Sequence, residues 1–165
     1  MSNKAGVLKP RILSDSREQA PLSFNLDKFD VVTEGVPFGD YWCEIPSSGT
    51  YTQIPICFER KGLGDLFGTM GQGYSRFKKE MEKAKEAKFH LILVIEGTLT
   101  DVLNGYEHST IEGKSMLKKL AMLRVRYNLE VVFFDSRKEM ARWIEEIFDA
   151  VARNYVKEIK DKKCE

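Results

Sequence analysis

The sequence predicts an α/β fold with a mixed central β-sheet flanked by helices, on two observations. Its first part carries strand-like segments with turn residues between them, whereas its second part alternates amphipathic helical patterns with apolar runs. Such an order is typical of a sheet covered by helices. With 165 residues, 42% of them hydrophobic, the chain is long enough for one domain with a core. We expect a single domain over residues 1–165, with a core at about 11–155 between a polar leader and a basic tail.

Strand-like segments occupy the first third of the chain. RILSD at 11–15 and FDVVTE at 29–34 are the first two. GDYWCEI at 39–45 and TQIPICFER at 52–60 follow, and the PSSGT between them has the composition of a turn, which predicts a hairpin. A turn centred between Gly49 and Thr50 would place Asp40 opposite Glu59 across the hairpin.

Helical periodicity and buried-strand patterns alternate downstream. One apolar stripe at helical spacing runs on through the GQG break and comprises Leu63, Leu66, Phe67, Met70, Tyr74, Phe77, Met81 and Ala84. HLILVIE at 90–96 and LEVVFFD at 129–135 are continuous apolar runs, as in buried strands. Residues 113–127 predict another helix. Ser136 and Glu139 form a capping-box pattern that opens a helix through roughly residue 155.

Composition excludes several classes of protein. The apolar runs are too short to cross a membrane and the N-terminus lacks a signal-peptide core, so we expect an intracellular, cytoplasmic protein without a membrane partner. Cys43, Cys57 and Cys164 form no CxxC pair, which favours reduced thiols over disulfides or a zinc site. The net charge of +1 does not by itself indicate a nucleic-acid binder.

Positive charge is nevertheless concentrated locally. Residues 76–88 carry six basic residues against three glutamates, and the tail from 153 to 163 is also basic. Arg76, Lys78, Lys79 and Lys83 are therefore candidates for contact with phosphates. A solvated helix face with i,i+4 ion pairs accounts for the same pattern, and both interpretations stay open.

The stretch FERK at 58–61 ends a strand-like run with three charged residues. Residues two apart in a strand share a face, so Glu59 and Lys61 point one way and Arg60 the other. Burying a charged side chain costs free energy unless the charge is paired. Asp40 lies opposite Glu59 in the predicted hairpin, and Asp15 ends another strand of the same sheet.

Acidic groups that converge in this way favour a divalent cation. Two carboxylates about 4 Å apart repel by roughly 4 kcal/mol at an effective dielectric near 20. Carboxylate oxygens suit Mg²⁺ or Mn²⁺. Such an ion activates water, and Lys61 beside it could stabilise the charge that develops on phosphorus during phosphodiester hydrolysis. The alternative is that Asp40 and Glu59 only pair with Arg60, Lys61 or Arg17 in an ion network.

Four stretches are informative in combination: DSREQ at 15–19, GDY at 39–41, FERKGLGDL at 58–66 and LILVIEG at 91–97. Together they resemble the XPF-type structure-specific endonucleases. These match the D-x-R-E, G-D and E-R-K-x-x-x-D patterns of that family on a restriction-endonuclease-like core, and the similarity runs from about residue 11 to 148. The resemblance implies a DNA endonuclease that cuts near branch points, flaps or forks and uses Mg²⁺, with Mn²⁺ as a substitute.

The same resemblance implies roles for particular residues. Asp40 and Glu59 would be metal ligands, the backbone carbonyl of Arg60 a third, and Lys61 the catalytic lysine. The basic residues of 76–88 would contact DNA phosphates, largely without regard to sequence.

Asp15, Arg17 and Glu18 match the D-x-R-E motif, and Asp65 matches the final aspartate of E-R-K-x-x-x-D. Asp15, Arg17 and Glu18 would join the catalytic set. Asp65 is either a metal ligand or an ordinary acid at a helix N-terminus, where the helix dipole favours it.

The chain also departs from the family pattern. The hairpin that joins Asp40 to Glu59 is longer than usual, and the sequence ends soon after the core, with no tandem helix-hairpin-helix domain. We therefore expect DNA binding by this domain itself, and a homodimer through uncovered apolar helix faces. Two alternatives stay open: a non-catalytic DNA-binding or scaffold domain that retains the fold, and a general or resolvase-like nuclease without branch specificity.

Overall fold

A computed structural model describes residues 8–162, with side chains to residue 157. Six strands form one sheet in the order β2-β1-β3-β4-β5-β6. The strands are β1 (Arg11–Asp15), β2 (Asp30–Glu34), β3 (Tyr41–Ser47), β4 (Thr50–Gly62), β5 (His90–Glu96) and β6 (Glu130–Phe134). The pairs β1–β2, β4–β5 and β5–β6 are parallel, whereas β1–β3 and β3–β4 are antiparallel. The predicted mixed sheet is confirmed.

Five helices accompany the sheet in the described part of the chain. They are α1 (Leu63–Met70), α2 (Tyr74–Glu86), α3 (Leu99–Asn104), α4 (Gly113–Tyr127) and α5 (Arg137–Lys162). The helix α5 runs beyond its predicted end, and α3 was not predicted, although Thr98 and Asp101 form a capping box that the sequence already displays. None of the helices in this part of the chain is long and apolar enough to cross a membrane.

Each face of the sheet carries its own hydrophobic core. On one face α1, α2 and α4 bury Phe67, Phe77 and Met116 against strands β4 and β5. On the other face α5 buries Phe148, whose ring packs edge-on against Phe58 of β4 at 5.2 Å between centroids. Because side chains alternate along a strand, successive residues of β4 reach opposite layers.

The β3–β4 hairpin has a different register from the one predicted. Its turn is at Ser48 and Gly49, since Ser47 pairs with Thr50, and the prediction that it lay between Gly49 and Thr50 is wrong. A β-bulge around Pro55 then shifts the register, because proline cannot donate a ladder hydrogen bond. Beyond the bulge Tyr41 pairs with Phe58, which restores the predicted alignment next to Asp40 and Glu59.

The thiols of Cys43 and Cys57 are free and buried. Burial raises the pKa of Cys43 to about 12, so this thiol stays protonated and unreactive. Cys164, the leader at 1–7 and the side chains of the basic tail beyond 157 lie outside the described residues.

Candidate active site

The end of β4 sorts its three charged residues between the two layers. Glu59 and Lys61 point to the layer of α1 and α2, where the Lys61 ammonium lies 5.8 Å from the centre of the Phe77 ring. Arg60 points to the layer of α5. The alternation predicted from the sequence therefore holds, and it divides the charges into two separate networks.

Glu59 and Lys61 form a buried ion pair. Lys61 Nζ donates to Glu59 Oε1 at 2.5 Å, and their side chains are 14% and 7% exposed. Burial raises the pKa of Glu59, although the charge of Lys61 opposes this shift. Burial would lower the pKa of Lys61, but the charge of Glu59 and its hydrogen bond outweigh burial, so that pKa is raised and the ammonium keeps its proton.

Asp40 lies immediately beside this pair. Its Oδ2 accepts a hydrogen bond from the Arg60 backbone N–H at 2.7 Å, and its own N–H donates to the Phe58 carbonyl at 2.7 Å. Gly39 permits this close approach, because its φ is +68° and a Cβ there would come within 3.2 Å of the Phe58 carbonyl. Burial and the charge of Glu59 raise the pKa of Asp40 to about 8.

Asp15 is joined to Asp40 through the backbone, whereas its carboxylate belongs to Arg17. The Asp15 N–H donates to the Asp40 carbonyl at 2.8 Å. Arg17 donates to the buried Asp15 carboxylate through Nε at 2.9 Å and Nη2 at 2.6 Å, and Nη2 also donates to the Val36 carbonyl. These bonds and the charge of Asp15 raise the pKa of Arg17.

Arg60 is the centre of the second network, in the α5 layer. Its guanidinium is 9% exposed and makes two hydrogen bonds to Glu18, at 2.8 and 3.2 Å, and one to Glu96 at 3.1 Å. Burial would raise the pKa of Glu18, but the hydrogen bonds from Arg60 and from the Ala20 N–H outweigh it and lower that pKa. The D-x-R-E segment is thereby tied to β4.

Arg137 at the start of α5 closes this second network. It donates to Glu96 at 3.2 Å and to the carbonyls of Ala20 and Pro21 at 2.6 and 3.2 Å. The segment that carries Glu18 is therefore held between α5 and the strand ends. Sequence reasoning did not assign a role to Glu96 or Arg137, although Glu96 ends an apolar run with a charge just as Glu59 does.

Glu80 on α2 was also missed. Its negative charge raises the pKa values of Arg17, Glu59 and Lys61, so it faces the same group of charges. Glu80 is one turn beyond Phe77, whose ring lies near Lys61. Nothing in a helical run of mixed lysines and glutamates marks this glutamate in advance.

The remaining predicted site residues lie apart from these contacts. Asp65 is exposed in the first turn of α1, and the described residues show no hydrogen bond or ion pair from it to Asp40 or Glu59. Arg76, Lys78, Lys79 and Lys83 are all exposed along α2. Only Lys78 among them forms an ion pair within the described range, at 3.7 Å from Glu82.

The donor set at the end of β4 fits a hard divalent cation. Asp40 and Glu59 offer carboxylate oxygens in a place where burial and then the charge of Glu59 raise the pKa of Asp40, and a cation would relieve the repulsion between the two acids. Within residues 8–157, however, no group of three or more His, Cys, Asp or Glu side chains is arranged to hold a metal ion. A cation here would need backbone oxygen, water or substrate phosphate to complete its coordination.

Comparison with known proteins identifies a family and several related solved structures. The ERCC4 domain matches residues 13–147 of the chain. XPF from Aeropyrum pernix has a similar structure, with a TM-score of 0.64 and 21% identity over 93% of this chain and 68% of that one. The same protein in complex with DNA gives a TM-score of 0.61 and 20% identity over 90% and 66%. A search of curated proteins finds no match.

Proposed function

Because the chain belongs to the ERCC4 domain family and has the fold of an XPF-type nuclease domain, we propose that it is a Mg²⁺-dependent DNA endonuclease. The observation that carries the proposal is the buried pair of Glu59 and Lys61 beside Asp40 at the end of β4. One of the similar structures contains DNA, which supports DNA as the substrate. Cleavage at branched, flap or fork DNA, homodimer formation and the use of Mn²⁺ in place of Mg²⁺ are finer parts of the proposal and stay predictions.

The chain supplies the groups that phosphodiester hydrolysis requires. Asp40, Glu59 and the Arg60 carbonyl would hold the metal, which supplies an activated water and neutralises phosphate charge. Lys61 has a raised pKa, so it is a permanent cation that can stabilise the negative charge developing on phosphorus. Asp65 in the first turn of α1 follows this segment directly, and a ligand role for it stays a prediction.

The two ion networks position these groups. Arg60 presents its N–H to Asp40 while its side chain is held by Glu18 and Glu96, so the peptide next to Glu59 has little freedom. Arg17 neutralises Asp15, whose backbone is bonded to Asp40. Asp15, Arg17 and Glu18 therefore orient the site in this proposal.

A non-catalytic DNA-binding domain is the second candidate, and a specific observation favours it. Lys61 neutralises Glu59 and Arg17 neutralises Asp15 within the protein itself, so much of the acidic cluster is stable without a metal. An ion network of this kind satisfies its buried charges whether or not the protein cleaves DNA.

Cleavage assays separate the two candidates. The purified protein would be incubated with labelled flap, fork, four-way junction and linear duplex DNA, with Mg²⁺, with Mn²⁺ or with EDTA. We expect cleavage with either metal and none with EDTA. The Lys61→Ala and Asp40→Asn variants should lose about 10²-fold or more in cleavage rate, because each removes a group that acts on the transition state or on the metal.

A matched control is Lys138→Ala, which removes an exposed lysine from α5 in the opposite layer and should retain full activity. DNA binding without cleavage under every metal condition would support the non-catalytic candidate. Cleavage that survives both site substitutions would place the active site elsewhere.

A further inference from the structure

Two helices on the face that carries Glu59 and Lys61, α2 and α4, enclose a basic groove that no part of the proposed active site uses. We define the α2–α4 seam as this groove, with its basic residues Lys85, Lys88, Lys118, Lys119 and Arg126. It comprises two neighbouring cavities of about 290 and 380 Å³, and Arg126 lines both of them. No aspartate or glutamate lines either cavity, and the lysines and the arginine that line them are all basic.

The helix α4 is the source of most of this charge. Its fifteen residues include five basic ones, Lys114, Lys118, Lys119, Arg124 and Arg126, and none that is acidic. The helix α2 is more mixed, since three glutamates accompany its basic residues. Across the described residues no ion pair neutralises Lys118, Lys119 or Arg126. Cations that are not paired within the protein are available to a polyanion, and a bound polyanion would relieve their mutual repulsion.

The seam is also partly organised before any ligand arrives. Lys119 Nζ donates to the Met70 carbonyl at 3.0 Å and lies 5.5 Å from the centre of the Tyr74 ring. Lys118 and Arg126 are exposed on either side of it along α4. An ammonium held by the Met70 carbonyl between two exposed cations suits a row of phosphates better than a single small anion.

The position of the seam relates it to the proposed active site. Tyr74 lines the seam and lies one helical turn before Phe77, whose ring faces Lys61. A stiff substrate held at Lys61 and extended along α2 would therefore pass close to the seam. Duplex DNA is stiff over far longer distances than this domain, whereas a single strand would lose conformational entropy to follow the same path.

We infer that the α2–α4 seam binds the phosphate backbone of double-stranded DNA beside the scissile bond. This inference rests on the proposed function for its substrate class and adds the surface that grips the duplex. It also moves the main phosphate contacts from the exposed face of α2, which the sequence suggested, to α4. The helix α2 is roughly 20 Å long, and a duplex of that length carries on the order of ten phosphates.

The test is the salt dependence of duplex binding, measured by fluorescence anisotropy in EDTA so that no cleavage occurs. The variant is Lys118→Ala/Arg126→Ala. The logarithm of the association constant falls linearly with the logarithm of the salt concentration, with a slope of roughly 0.9 per phosphate contact. Loss of two contacts should therefore reduce the magnitude of this slope by about 2. A labelled single strand of the same length forms a second arm and should be affected less.

The control is Lys138→Ala/Arg142→Ala on α5, in the opposite layer of the fold. It removes the same charge from exposed positions, so any effect of overall charge is the same in both variants. Equal slopes for the two double variants would overturn the inference, and so would a loss confined to the single strand. Thermal melting of both variants checks that they are folded.

The proposed function and this inference can fail separately. If the wild-type protein cleaves DNA with Mg²⁺ but the seam variant keeps the wild-type salt slope, only the inference fails. If the wild-type protein never cleaves but the seam variant binds duplex with the lower slope, the inference holds for a non-catalytic DNA-binding domain.

Discussion

At the scale of single residues, the surroundings of Asp40 act on its carboxylate in two opposite ways. Asp40 is buried beside Glu59, which disfavours its charge, yet its carboxylate accepts the Arg60 N–H and so fixes the backbone of β4. Gly39 makes this arrangement possible because it tolerates a positive φ where other residues would be strained. A buried acid held in this way has a high affinity for a proton in the absence of metal.

This leads to a prediction for the metal-free protein. The pKa of Asp40 is raised from 3.8 to about 8, so the folded state binds a proton that the unfolded state releases. The stability that this proton contributes is fully present below 3.8 and is lost as the pH rises to about 8. We expect the free energy of unfolding in EDTA to fall across this range, by up to about 1.4 kcal/mol per pH unit, and the melting temperature to fall with it.

The Asp40→Asn variant tests this prediction. An amide oxygen can still accept the Arg60 N–H but does not titrate, so the variant should show a flatter pH profile and be as stable as the wild type or slightly more so at pH 8 without metal. Asp30→Asn, at an exposed position of β2, is the control and should follow the wild type. A marked loss of stability in Asp40→Asn would instead show that the carboxylate charge has a structural role.

At the scale of elements, one arginine–glutamate network joins four pieces of the chain. Arg60 on β4, Glu96 on β5, Arg137 on α5 and the segment around Glu18 meet at the ends of two parallel strands. Parallel strands end at the same edge of a sheet, so the charges that end β4 and β5 become neighbours. This network anchors the segment that follows β1.

The members of this network should differ in their contributions to stability. Glu18→Ala removes two hydrogen bonds from a guanidinium that is only 9% exposed, so we expect a loss of about 3 kcal/mol in the free energy of unfolding. Arg137 is 38% exposed, and the ion pair between Arg60 and Glu18 remains when Arg137 is removed. Arg137→Ala should therefore cost about 1 kcal/mol in the free energy of unfolding.

Urea denaturation measures both losses, with Arg142→Ala as a surface control expected to stay within about 0.5 kcal/mol. If Arg137→Ala proved as costly as Glu18→Ala, Arg137 would be the principal anchor of the segment and the order argued from burial would be wrong.

At the scale of the whole molecule, the sheet separates the layer that carries the candidate active site from the layer of α5. Glu59, Lys61 and the α2–α4 seam share the side of α1, α2 and α4, whereas the long helix α5 covers the other side. The contact of Phe148 with Phe58 joins α5 to the strand that carries the site. Packing on one face of the sheet therefore holds the strand that carries the candidate site on the other face.

Phe148→Ala tests this division. The side chain is fully buried, so we expect a loss of about 3–5 kcal/mol in the free energy of unfolding. Trp143→Ala on the same helix should cost less than about 1 kcal/mol, since Trp143 is 41% exposed. Guanidinium denaturation followed by circular dichroism measures both variants, and a small loss for Phe148→Ala would mean that α5 contributes little to holding β4.

By itself the sequence determined the class of the fold, most of its elements and the family. Strand alternation, helical stripes and the motifs around Asp40 and Glu59 are local patterns, and local patterns can be read along a chain. The mistaken hairpin turn did not affect the alignment of Asp40 with Glu59 because a bulge compensated for it.

Only the tertiary structure decided which distant charges meet. Glu80, Glu96 and Arg137 reach the site from α2, β5 and α5, and the seam exists because α4 packs beside α2. These neighbours are set by strand order and helix packing, which bring together residues far apart in sequence. No short-range pattern in the sequence predicts these contacts.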